Sequence, residues 1–188
     1  MIKTIEEYSK TIFLLSQEAA NSVRPHAPND DPKFGEDGIG DQQWFAILQE
    51  YIYLALHLTA RHYSSNFWHE WMNSNDRTKI IDDLIEICID GSVAIICKDW
   101  PIDTKEKIKS ECYQNFGKSM AEYKEYHDYF PEIEDDSPQK TLFWEFGKVV
   151  AATNHLENDI QCIIASEKAA VKLLKDLNIK QFVKQITT

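Results

Sequence analysis

The chain is expected to be all-α: a bundle of four or five long helices with short terminal helices. It reads as one domain over residues 1–188, with a long irregular loop at about 24–40. Three observations predict this. Apolar residues recur at helical spacing nearly everywhere. Glycine and proline number only 6 each, so long uninterrupted elements are expected. No stretch of useful length alternates apolar and polar residues as a half-buried strand would.

The first helix carries the stripe Ile2, Ile5, Tyr8, Ile12, Leu15 and Ala19. RPHAPNDDPKFGEDGIG, residues 24–40, packs three prolines, three glycines and four acids into the clearest loop. Its length suits a lid or a wrapped connection. Asp41 reads as the cap of a second helix through QQWFAILQEYIYLALHLTARHY, with Ser64, Ser65 and Asn66 as a potential interruption. NSND, residues 73–76, caps a third helix, RTKIIDDLIEICIDGSVAIIC. Trp100-Pro101 is a stop, and Pro101 or Asp103 starts a fourth helix through Ile108, Cys112, Phe116, Met120 and Tyr123. After the acidic run YFPEIEDDSP, a fifth helix is expected from Lys140 to about Ser166. EKAAVKLLKDLN extends it or forms a sixth, Asn178 stops it, and IKQFVKQI forms a short terminal helix.

Composition narrows the function classes. Hydrophobic residues at 43% argue against disorder. A formal charge of −11 argues against a nucleic-acid-binding surface, which needs clustered Lys and Arg. No apolar run approaches the ~18 residues of a membrane span, and the N-terminal MIKTIEEYSKTIFLL has acids where a signal peptide would be basic, so a cytoplasmic location is expected. Cys88, Cys97, Cys112 and Cys162 form neither a C-x-x-C pair nor a zinc spacing and read as packed, reduced thiols.

HLTARHYSSNFWHEW, residues 57–71, gathers half the chain's 6 histidines. At ~100° per residue, His57 faces about 140° away from His62. His62 and His69 share a face but lie two turns apart, too far to share a metal on a continuous helix. The stretch is therefore not a local ligand cluster, and no metal or cofactor is expected. His62 falls on the stripe of Trp44, Tyr51, Ala55 and Leu58, the position of a satisfied core histidine. His57 lies with Gln43, Glu50 and Arg61 on a narrow polar strip, which either faces solvent or forms a polar seam into a cleft.

On the expected fifth helix, Phe146, Val150, Thr153, Ile160 and Ile164 make an apolar stripe with Glu157 near its middle. A carboxylate there must find a partner, stay protonated or face a cavity. Glu157 is therefore expected to be buried within contact of His62 or Arg61, as an ion pair or as a site carboxylate. Asp82, Asp83, Glu86 and Asp90 read as a solvated acidic face opposite Leu84, Cys88 and Ile95, and Tyr123 with His127 as a packed helix end. No E-x-x-H, H-E-x-x-H, P-loop, G-x-S-x-G or dinucleotide-binding glycine pattern occurs.

YIYLALHLTARHY followed by NDRTKIIDDLI resembles a segment of uncharacterised bacterial all-α proteins, in which an aromatic-rich H-L-T-x-R helix precedes a charged turn and another apolar helix. The matching residues are Tyr53, His57, Leu58, Thr59, Arg61, Arg77 and Asp82-Asp83-Leu84, over about 40 residues. Ala60 stands where that segment is acidic. The resemblance implies a helical fold and no particular activity.

Three function classes remain. One is a non-enzymatic interaction protein, a homo-oligomer or partner-binding subunit, with Trp68 and Trp71 as interface anchors. Another is a ligand-binding or catalytic pocket between helices two and five, formed by Glu50, His57, Arg61, His62 and Glu157, in which Arg61 holds an anion and His57 or Glu157 moves a proton. The last is an acidic inhibitor or nucleic-acid mimic, built on the loops NDDPKFGED and PEIEDDSP.

Overall fold

A helix that is apolar all round has to be enclosed on every side, and the second helix of this chain meets that condition. From Ile47 to Thr59 every residue except Glu50 is buried. In the computed structural model, which describes residues 2–23, 39–71, 75–126 and 141–187, this helix runs through the centre of an all-α bundle. The described helices are α1 (Ile2–Val23), α2 (Ile39–Trp71), α3 (Asn75–Ile96), α4 (Ile102–Tyr123), α5 (Leu142–Thr153), α6 (Ile160–Leu177) and α7 (Ile179–Thr187). Each of the other six packs against α2. One hydrophobic core draws residues from all seven, from Ile5 and Tyr8 in α1 to Phe182 and Ile186 in α7.

Burying α2 strands polar groups, and four of its side chains find partners on four different neighbours. Tyr8 of α1 meets Thr59 (hydroxyl to hydroxyl, 3.1 Å), and the Thr59 hydroxyl donates to the Ala55 carbonyl. Gln49 donates to Ser92 of α3 at 2.8 Å. Tyr53 donates to the Cys112 carbonyl of α4, and Tyr51 to the Ser166 carbonyl of α6. These bonds fix the rotation of the surrounding helices about a centre whose apolar contacts alone are not directional. A stacked Tyr8–Phe182 pair, centroids 3.7 Å apart, seats α7 on α1.

Most expected elements are present, with three differences. α2 begins at Ile39, two residues before Asp41, and runs unbroken through Ser64–Asn66 to Trp71, a length of roughly 50 Å. Ser64 turns its hydroxyl to the Ala60 carbonyl, and so satisfies itself without breaking the helix. Residues 24–38 of the expected loop lie outside the described residues.

The expected fifth helix is two helices. α5 ends at Thr153 with paired bonds from His155 N–H to the Ala152 carbonyl and from Leu156 N–H to the Ala151 carbonyl, His155 holding the left-handed conformation at φ 58°. This is the closing geometry in which glycine is usual. Asp159 then caps α6, its carboxylate accepting from the backbone N–H of Gln161 and Cys162. The chain reverses between them, and the two helices pack closely: a Cβ on Gly147 would lie 2.6 Å from the Ile163 carbonyl oxygen.

The split removes the expected apolar stripe. Ile160 is 61% exposed, and Glu157 lies exposed in the turn. The expectation that Glu157 is buried against His62 or Arg61 is thus overturned, because it rested on one helical register across residues that form a turn. The acidic face of α3 is only partly solvated as well: Asp90 accepts from Lys109 and Tyr113 of α4, and Ile95 is 55% exposed.

Candidate functional site

Two hollows border the central helix. The first lies between α2, α5, α6 and α7 and has a volume of about 550 Å³. Arg61 and His62 come from α2, Lys175 from the last turn of α6 and Lys180 from the first turn of α7. Leu58, Phe143, Val171, Leu174 and Ile179 supply its apolar surface, and none of the described residues that line it is acidic. Lys175 suits its place, since a cation is favoured at a helix C-terminus. The first turn of α7 adds partial positive charge and the last turn of α6 partial negative, so the side chains decide the sign of the field. The imidazole of His62 is held below its usual range by burial and then by the Lys180 charge. The Arg61 guanidinium also donates to the Tyr126 carbonyl at 3.0 Å, which holds it beside the end of α4.

The second hollow is a cleft of about 610 Å³ between the N-terminal half of α2, the end of α3 and α4. Glu50 and Gln49 are its polar groups from α2, with Trp44, Phe45, Tyr53 and Trp100 among its walls and Lys107 and Glu111 on α4. Glu50 Oε2 accepts from Tyr123 at 3.0 Å and Ser119 at 3.4 Å. Burial pushes its carboxyl up to about 7, against those two bonds and with help from the Glu122 charge. Gln49 is 3% exposed, and its Oε1 has no hydrogen-bond partner among the described residues.

The residues expected to form one pocket are therefore divided. Arg61 and His62 line the first hollow and Glu50 the second. His57 lines neither; it is 6% exposed, packed edge-on against Tyr123 with ring centroids 5.5 Å apart, and its Nε2 has no partner among the described residues. Burial, then the charges of Arg61 and Lys124, push its imidazole down to about 4, so it is neutral near pH 7. Glu157 stands apart from all of these. The polar strip of α2 is an interior seam, Gln43 donating to the Thr153 carbonyl while Glu50, His57 and Arg61 face the end of α4. His62 is half-buried at a wall of the first hollow, not sealed in the core.

Lys175, Lys180 and Gln49 were not singled out by the sequence. The two lysines belong to different helices and converge only through the sharp turn at Asn178, which takes φ 48°. The side chains of Trp68 and Trp71 and both acidic loops lie outside the described residues. Among the described residues, no three His, Cys, Asp or Glu side chains are grouped to hold a metal ion, and no helix is long and apolar enough to cross a membrane. The chain matches no family model, no curated protein and no solved structure with which it was compared.

Proposed function

We propose that the chain binds a small amphipathic anion, a carboxylate or phosphate on an apolar body, in the hollow between α2, α5, α6 and α7. One observation carries this reading: Arg61, His62, Lys175 and Lys180 converge from three helices over an apolar surface, in a chain whose net charge is −11. Arg61, Lys175 and Lys180 bring positive charge from three helices to one surface, and an anion there gains from all three. Arg61 offers the forked donor geometry that matches a carboxylate or phosphate, and the two lysines supply charge. Leu58, Val171 and Leu174 take the body, at roughly 25 cal/mol for each Å² of apolar surface withdrawn from water. A volume of about 550 Å³ lies in the range of small-molecule sites.

The reading is tested by calorimetric titration with decanoate, with decanol as the uncharged analogue. Decanoate is expected to bind one to one. The Lys175→Gln/Lys180→Gln double variant, both sites exposed, should weaken it about tenfold, roughly the 1.4 kcal/mol expected for lost charge contacts at a partly wet site. Equal binding of decanol, or an unchanged affinity in the double variant, overturns the reading.

A further inference from the structure

The cleft at Glu50 stands outside the function proposed above, and its chemistry is of the opposite kind. Its two polar groups from α2 are both short of donors. For Gln49 this follows from the bonds around it. Ser92 donates its single hydroxyl hydrogen to the Ile89 carbonyl, so towards Gln49 it can only accept. The amide nitrogen of Gln49 must therefore face Ser92, which leaves Oε1 as the atom without a partner. Reversing the amide would place two acceptors against each other. Gln49 lines the cleft, and its unpaired Oε1 is sealed from solvent beside it. Glu50 beside it takes both its hydroxyl bonds on Oε2, and no bond to Oε1 is made among the described residues. The lysine across the cleft, Lys107, lies 3.9 Å from Glu111 on its own helix.

Around these acceptors the walls are aromatic. Trp44 and Tyr53 come from α2 and Trp100 from the turn after α3, and aromatic faces attract a cation within about 6 Å.

We propose that the cleft between α2, α3 and α4 binds a small organic ammonium ion with an aromatic or alkyl body. Its N–H groups are taken by the Glu50 carboxylate, and its body lies against Trp44, Tyr53 and Trp100. An uncharged donor would gain less from the carboxylate and the ring faces. The cation should bind the ionised form of Glu50. With that carboxyl at about 7, its ionised fraction rises about tenfold from pH 6 to pH 8. On α4 the titratable groups facing it are Glu122, Tyr123 and Cys112, with Lys107 and Glu111 further along the cleft; Tyr53 faces it from α2 and Cys97 from the end of α3. Burial holds the Tyr53 and Tyr123 hydroxyls and the Cys97 and Cys112 thiols above their ordinary ranges, so they stay protonated over this interval.

The test is titration of the full chain with 2-phenylethylammonium, followed by tryptophan fluorescence and calorimetry, with 2-phenylethanol as the uncharged analogue. One-to-one binding is expected, tightening about tenfold from pH 6 to pH 8, with the alcohol at least about tenfold weaker. Glu50→Gln should abolish the pH dependence and weaken binding about tenfold. Trp100→Ala, at a rim position 39% exposed where folding is not at risk, should weaken it several-fold and keep the pH dependence. Lack of saturable binding at millimolar probe, equal binding of the alcohol, or a flat pH profile in the unmodified chain overturns the proposal.

Discussion

The hollow at Arg61 and the cleft at Glu50 are nearly equal in size, about 550 and 610 Å³, and both rest on the central helix. One gathers donors and positive charge; the other gathers unpaired acceptors and aromatic faces. α2 contributes one charged seam residue to each, so the central helix does not set the contrast alone. The outer helices do. Lys175 and Lys180 arrive from α6 and α7, whereas α3 and α4 bring apolar walls, with Trp100 in the turn between them and a lysine 3.9 Å from a glutamate of its own helix. In a bundle organised round one enclosed helix, the ring of partners can give each side of that helix a different ligand chemistry.

The strongest way to break the comparison is to displace one ring helix. Gly147→Ala should cost about 2–3 kcal/mol of stability in denaturant unfolding, because the new methyl group meets the Ile163 carbonyl oxygen at 2.6 Å. Since α5 carries Phe143, decanoate binding should weaken while the ammonium cleft is spared. Equal loss at both hollows would show that they are not independent.

Next in size is the response to pH. The Glu50 carboxyl is raised in the folded state to about 7, so ionising it opposes folding: its contribution falls as pH rises from about 4.5 through 7. His57 is lowered to about 4, so its contribution falls in the other direction, as pH drops from about 6.5 through 4. Over the shared window the two slopes offset each other. Glu50→Gln should therefore stabilise the chain by about 2 kcal/mol at pH 8 and leave a stability that rises with pH between 4 and 6.5. A profile parallel to that of the unmodified chain would count against this balance.

Smaller effects sharpen the contrast. An anion at Arg61 favours the protonated form of His62, whose imidazole is otherwise held low, so decanoate should bind more tightly at pH 6 than at pH 8. The ammonium probe should respond with the opposite sign over the same interval, and like signs would dissolve the distinction. Last, His155→Gly should gain about 0.5–1 kcal/mol, since only glycine takes φ 58° without steric cost, and should leave both hollows unchanged.

The all-α architecture was readable because its evidence is periodic. α1 and α4 turn inward the stripes their spacing predicts: Ile5, Tyr8, Ile12, Ala19, Cys112 and Tyr123 are buried, and Leu15, Ile108, Phe116 and Met120 are partly buried. The break between α5 and α6 was not, because its usual sign is a glycine and this chain places His155 there. Asn158-Asp159 ahead of the apolar run IQCIIA was the available signal, and Asp159 does cap α6. The error at Glu157 follows directly, since one turn in the wrong register carries a side chain from outside to inside. Half of the anion hollow was within reach, through Arg61 and His62. Lys175 and Lys180 were not, because their convergence depends on how α7 folds back after Asn178. Gln49 lay beyond periodicity too: a residue that looks like one more polar helix position becomes notable only when Ser92 is known to be its partner.

The buried thiols have a use in following the molecule's motions. Cys88 lies in α3, Cys97 just beyond it, Cys112 in α4 and Cys162 in α6, all four unbridged and buried. A thiol reagent reaches each only when the surrounding helices part, so the labelling rate at each position is a clock for one local opening. Cys112 sits where Tyr53 anchors α4 to the centre, and Cys162 where α6 begins against α5. Filling the Glu50 cleft with an ammonium ion should slow the clock at Cys112 and leave the one at Cys162 running; decanoate should leave Cys112 untouched. Without any engineered cysteine, the chain thus carries timekeepers for both sides of its central helix.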